Sequence, residues 1–129
     1  MFERLDFVYL PSRDVAADIE HFTAGVGGEL IFAVERFDTR VAMVQLAVGG
    51  PALLLAEHLG GDQPILTFRV ADLDAAIAEL AERQVALGTR FEMPYGFGVE
   101  VANPGPQRFA VYERTRGERG DGLAGRRDF

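Results

Sequence analysis

Val8-Tyr9-Leu10-Pro11-Ser12-Arg13-Asp14-Val15-Ala16-Ala17-Asp18-Ile19 returns as Leu66-Thr67-Phe68-Arg69-Val70-Ala71-Asp72-Leu73-Asp74-Ala75-Ala76-Ile77, with Asp72 standing 58 residues after Asp14. In each copy a short apolar run leads to an aspartate suited to a helix N-cap, and an amphipathic stretch follows. A chain made of two such halves is expected to form one pseudo-symmetric domain with its functional site between the halves.

Working outward from the first copy, residues 5–10 read as a strand ended by Pro11. Val15, Ile19, Phe22 and Val26 follow Asp14 at spacings of 4, 3 and 4, which predicts one apolar helix stripe stopped by Gly27-Gly28. Strand-like runs come next at 29–35, 41–48 and 52–57, separated by turns at 37–40 and 49–51. The second half repeats the order. A strand is expected at 65–70, then a helix carrying Leu73, Ile77 and Leu80 on one side, then strands at 85–92, 97–102 and 108–113. The fold class is therefore α+β, with two tandem βαβββ modules at about 5–58 and 64–114 joined by a linker at 59–63. Residues 1–114 make one domain, and 115–129 form a Gly/Arg-rich tail whose composition predicts disorder. If that tail is ordered, a partner subunit or the domain's own cavity is expected to hold it.

Composition narrows the function. At 129 residues the chain is long enough for one domain with a real core. It has no cysteine, which excludes disulfides, zinc–thiolate sites and thiol nucleophiles. All 13 basic residues are arginine, and the net charge is −7. That balance argues against nucleic acid, whose phosphates need clustered positive charge. It is compatible with a cationic ligand, and equally with a solubilising surface. No apolar run approaches the ~20 residues of a membrane span. The N-terminus lacks the basic-then-apolar form of a signal peptide, so a cytoplasmic protein is expected. Ser12, the one serine, has no Gly-x-Ser-x-Gly context, and Gly25-Val26-Gly27-Gly28 closes a helix where a phosphate cradle would open one.

Two βαβββ halves, an aspartate at each helix start and Asn103-Pro104-Gly105 before the last strand resemble the vicinal oxygen chelate superfamily over about residues 5–114. This group includes glyoxalase I, the bleomycin-resistance proteins and extradiol dioxygenases. The resemblance implies curved mixed sheets with helices outside and a cup between the modules. It also implies metal ligands on the first and last strands of each module. The first-strand ligand stands seven residues before the capping aspartate, which gives Phe7 and Ile65. The last-strand positions are Leu54 and Ala110. Divalent first-row metals need imidazole, thiolate or carboxylate donors, and these four residues supply none. No metal and no cofactor is expected at this site. Of the two histidines, His21 reads as a solvent-facing residue on the first helix and His58 as an ordinary strand-end residue.

Strand alternation then gives the face shared with those positions. Phe7 points with Tyr9, Ile65 with Thr67 and Arg69, Leu54 with Ala52 and Ala56, and Ala110 with Arg108 and Tyr112. Met43 and Gln45, or their neighbours, are expected to join them. This lining is apolar and aromatic, suits a flat hydrophobic ligand, and carries no carboxylate. Arg69 could meet a carboxylate or phosphate. The loop 93–98 adds Tyr95 and Phe97, either as a mobile ligand-stacking element or as a hairpin whose aromatics close the core.

The expected function is metal-independent binding of a small aromatic or hydrophobic molecule, and the resemblance implies a homodimer. Two alternatives stand beside it. One is an enzyme, either a lyase or dioxygenase with displaced metal ligands or a metal-free acid/base catalyst using Tyr9, Tyr112 or Glu100. The other is a structural or regulatory dimer with a filled cup.

Overall fold

The computed structural model describes residues 1–36, 38–116 and 123–129. Each module is built alike. The first runs β1 (Phe2–Pro11), α1 (Val15–Glu20), β2 (Glu29–Arg36), β3 (Thr39–Gln45) and β4 (Ala52–Ala56). The second runs β5 (Ile65–Val70), α2 (Leu73–Glu82), β6 (Leu87–Met93), β7 (Gly96–Val101) and β8 (Arg108–Arg114). Both aspartates cap as read from the repeat. The Asp14 carboxylate accepts the Ala17 N–H at 3.1 Å and Asp72 accepts that of Ala75 at 3.0 Å. No helix among the described residues is long and apolar enough to cross a membrane.

The modules join within one chain. β1 pairs antiparallel with β5, and the order β2-β3-β4-β1-β5-β8-β7-β6 makes one eight-stranded mixed sheet. On either side of this seam lies a parallel pair, β1 with β4 and β5 with β8. Tyr9 stands opposite Leu54 in the first pair, and Thr67 opposite Ala110 in the second, so the repeat extends to strand register.

Three apolar clusters hold the sheet. One lies under α1 around Val15, Ala33, Val44 and Leu55, and one under α2 around Leu73, Leu80, Val99 and Val111. The third fills the cup on the other face. The expected stripe of the first helix fails at its last member, because the chain leaves α1 through a π-helical turn at His21–Gly25. The Val26 N–H reaches back five residues to the His21 carbonyl at 2.9 Å, which adds a residue to the turn and leaves Val26 54% exposed.

The C-terminal residues Leu123–Phe129 run along β2, which would otherwise be an open edge of the sheet. The Gly125 N–H donates to the Ile31 carbonyl at 2.8 Å, Ala33 N–H to Arg126 at 2.9 Å, and Asp128 N–H to Ala33 at 2.7 Å. The Asp128 carboxylate accepts the Glu35 N–H at 2.9 Å, and the Arg40 guanidinium lies 4.4 Å over the Phe129 ring. These residues are thus held by the domain itself, against the disorder that composition predicts. The rest of the tail, 117–122, lies outside the described residues.

The turn between β6 and β7 is two residues, Pro94 and Tyr95, and Gly96 follows at φ +155°. A Cβ there would stand 2.0 Å from the Glu113 carbonyl oxygen. Gly96→Ala is expected to cost about 2–4 kcal/mol through backbone strain and overpacking, read from urea unfolding midpoints.

Candidate functional site

The cup is lined from every strand. Phe7, Tyr9, Leu54, Ile65, Ala110 and Tyr112 fall in one buried cluster, as strand alternation groups them, and Tyr95 of the β6–β7 turn joins them. Thr67 is fully buried on the same wall, between its β1 partner Phe7 and its β8 partner Ala110. Phe97 does not join them. It is 50% exposed on the face of β7 shared with Val99 and Val101, with the Arg116 guanidinium 5.5 Å over its ring. Phe97 shares the parity of those two valines within β7, whereas Tyr95 stands outside the strand, in the β6–β7 turn, where alternation does not govern it. Tyr95 turns inward, stacks on Phe7 at 5.2 Å and directs its hydroxyl at the Met43 sulfur. Of the two readings of this loop, Tyr95 follows the one that closes the core.

The positions matched to metal ligands, Phe7, Leu54, Ile65 and Ala110, are between 0 and 6% exposed and pack on one another's neighbours. A divalent cation finds no donor there. Among the described residues no group of three or more His, Asp or Glu side chains could hold a metal. His21 is exposed against Phe22, and His58 Nδ1 lies 3.1 Å from the Thr39 hydroxyl. The residues present do not fit the metal that the fold family implies.

Alternation misses one residue. β1 carries a bulge against β5, so that Leu5 pairs with Phe68 and Phe7 with Thr67, and Asp6 is extra. Asp6 and Phe7 are therefore both buried. The cup contains a carboxylate after all, against the expectation of none. One Asp6 oxygen accepts the Arg4 Nε at 2.7 Å, the other accepts the Arg69 Nε at 2.7 Å and the Tyr112 hydroxyl proton. Two cations and a phenol thus compensate the desolvation that a buried carboxylate would otherwise suffer. The Asp6 hydrogen bond in turn holds the Arg69 guanidinium above its ordinary pKa.

This polar cluster floors one end of the cup. A cleft of about 360 Å³ opens there, with Phe7, Met43, Ala52 and Tyr95 as its apolar wall and Arg4, Arg69 and Arg114 around Asp6. Arg114 lies 4.9 Å over the Tyr95 ring and lines the same cleft. At the opposite end are two further cavities, of about 270 Å³ beside Tyr9, Ile65 and Phe91, and about 540 Å³ beside Tyr9, Val34, Val41 and Leu123. The middle layer is packed, and the open volume lies at the two ends.

Of the acid/base candidates, Tyr112 is held by Asp6 and Glu100 by Arg108, while Tyr9 is buried among apolar side chains. Arg108 Nε and Nη2 donate to the two Glu100 oxygens at 2.7 and 3.2 Å. Burial pushes the Tyr9 phenol far above its usual value, with the Tyr95 phenol adding to the effect. Burial, then the hydrogen bond and charge of Asp6, raise Tyr112 to about 12. Tyr95 is raised by burial, with Arg114 opposing. None of the three tyrosines is poised near neutrality.

Because all three phenols are raised, the folded chain keeps protons that the unfolded chain releases above the ordinary value of 10.0. Stability is expected to fall as pH rises through 10, with the Tyr112 share spent by about 12. Urea midpoints on either side of pH 10, beside phenolate absorbance, measure it. Tyr112→Phe should flatten that fall, and at neutral pH cost about 1–2 kcal/mol for the lost bond to Asp6.

No protein-family model matches this sequence, and no curated protein does. Solved structures do. Methylmalonyl-CoA epimerase from Mycobacterium tuberculosis superposes at TM-score 0.74 with 20% identity, covering 89% of this chain and 90% of that one. A hypothetical protein from Bacillus halodurans C-125 gives 0.74 with 12% identity, covering 88% and 96%. Streptomyces coelicolor methylmalonyl-CoA epimerase in complex with 2-nitronate-propionyl-CoA gives 0.73 with 17% identity, covering 90% and 100%. At these identities the likeness speaks for the backbone. Tandem βαβββ modules joined at β1 and β5, a cup on one face and helices on the other give this chain the glyoxalase/bleomycin-resistance fold seen in these structures.

Proposed function

We propose that this chain is a metal-independent small-molecule-binding protein that takes an aromatic or hydrophobic ligand bearing an anionic group. The observation that carries the reading is the cleft at Asp6, lined by Arg4, Arg69 and Arg114 beside the stacked rings of Phe7 and Tyr95. Asp6 is already engaged by Arg4, Arg69 and Tyr112, so the positive charge left over faces outward. A flat ligand stacks on the apolar wall and presents its carboxylate or sulfonate to Arg69 and Arg114. The local charge thus opposes the net charge of −7, and disfavours the cationic ligand that composition alone allowed.

Metal independence rests on the apolar residues at the four matched positions, and the lean away from catalysis rests on Tyr112 held by Asp6 and Glu100 held by Arg108. The homodimer rests on the resemblance. Native mass spectrometry of freshly purified protein reads oligomer, metal and retained ligand together. A stoichiometric metal ion would overturn the metal-independent reading.

Naphthoate is the direct probe. It is expected to bind one site per chain by calorimetry, whereas a naphthylmethylammonium ion of similar size is not. Arg114→Gln should weaken naphthoate about tenfold, the loss of one charge-assisted hydrogen bond. Equal binding of anion and cation, or no effect of Arg114→Gln, would remove the basis for an anionic ligand.

A further inference from the structure

We propose that the C-terminal residues Leu123–Phe129 are a displaceable strap. With it lifted, the site takes an elongated amphipathic anion that spans both ends of the cup. The inference rests on the binding reading above and extends it to ligand length.

Leu123 is 7% exposed and belongs to the buried cluster of the cup, although it comes from the far end of the chain. Its side chain borders the cavity of about 540 Å³ beside Tyr9, Val34 and Val41. The next residue, Ala124, borders the cleft of about 360 Å³ at Asp6. Two consecutive residues of the strap therefore stand between the two spaces. The Pro94–Tyr95 turn supplies the rest of that wall, and it is fixed to the end of β8 by the N–H groups of Thr115 and Arg116 on the Tyr95 carbonyl, at 3.0 and 3.1 Å.

The strap is held differently. Among the described residues, its backbone bonds to the rest of the domain go to one strand edge, at Ile31 and Ala33, the Asp128 carboxylate adds Glu35, and Leu123 is its one buried side chain. An edge addition of this kind is how sheets take up separate extended peptides, so it forms and parts without disturbing the other strands. Leu123 sits where the apolar end of a ligand would lie if its anionic head were at Arg69 and Arg114. The strap acts as an intramolecular competitor for the longer ligand and leaves the cleft open to the shorter one.

Gly125→Pro tests this in the full chain. Gly125 adopts φ +82° and donates to Ile31, and proline supports neither. The change substitutes neither Leu123 nor any side chain that lines the cleft. The probes are naphthoate, which fits the cleft, and the dimeric bis-anilinonaphthalene sulfonate, whose length and volume exceed it. The variant is expected to bind the sulfonate at least about fivefold tighter than the parent, with naphthoate changed less than twofold. In the parent chain, saturation with the sulfonate should speed hydrogen exchange at the amides of Ala33, Glu35, Gly125 and Asp128, and naphthoate should not. If naphthoate binds with its dependence on Arg114 while sulfonate affinity is unmoved and those amides stay protected, the strap is a fixed wall and this inference fails alone. If neither probe binds either protein, the binding reading itself falls and the strap inference with it. The exchange readout needs no variant, so poor folding of Gly125→Pro would not spare the proposal.

Discussion

The antiparallel seam between β1 and β5 is the constraint on which the rest of the molecule depends. Each module alone is a small curled sheet with one apolar face and no partner for it. Pairing Phe2–Pro11 with Ile65–Val70 turns the two faces into one cup. It also sets Phe7 and Ile65 on neighbouring strands, with Leu54 and Ala110 one strand further out on either side. The resemblance implies polar metal donors in that layer. Here it holds a packed apolar core, so the space available to a ligand is moved to the ends of the cup.

The same seam produces the site's charge. Its bulge adds one residue to β1, and that residue is Asp6. A carboxylate in this position is tolerable only because Arg4, Arg69 and Tyr112 reach it from two other points of the chain and from its own strand. Removing the extra residue would turn Asp6 out and leave Arg69 and Tyr112 without their common acceptor. Packing, register and electrostatics at this end of the cup are therefore one arrangement, and the chemistry of any ligand follows from it.

The parts of the site that sequence could reach were those governed by local periodicity. Phe7, Tyr9, Leu54, Ile65, Ala110 and Tyr112 lie together because residues of one parity share one face, whatever the rest of the chain does. The same rule fails wherever backbone geometry departs from the regular period. The π-helical turn displaced Val26 from its stripe, and the β1 bulge brought in Asp6. Phe97 was misplaced for a different reason: it was read as part of a loop with Tyr95, and the turn proved to be only two residues long. Composition misjudged the last residues because it counts few apolar side chains and cannot see that Leu123 has a seat or that β2 has a free edge.

By itself the sequence determined the duplication, the capping aspartates, the α+β class and the absence of metal donors at Phe7, Leu54, Ile65 and Ala110. Each of these is written in residues a few positions apart, in the repeat of a helix, a strand or a cap. Only the tertiary structure decided that a carboxylate enters the cup, that arginines gather around it, and that the chain's own end closes part of the space. Those features join Asp6 to Tyr112 across 106 residues and Glu35 to Asp128 across 93. Contacts at such separations depend on strand register and on unpaired edges. Both exist only once the sheet has formed.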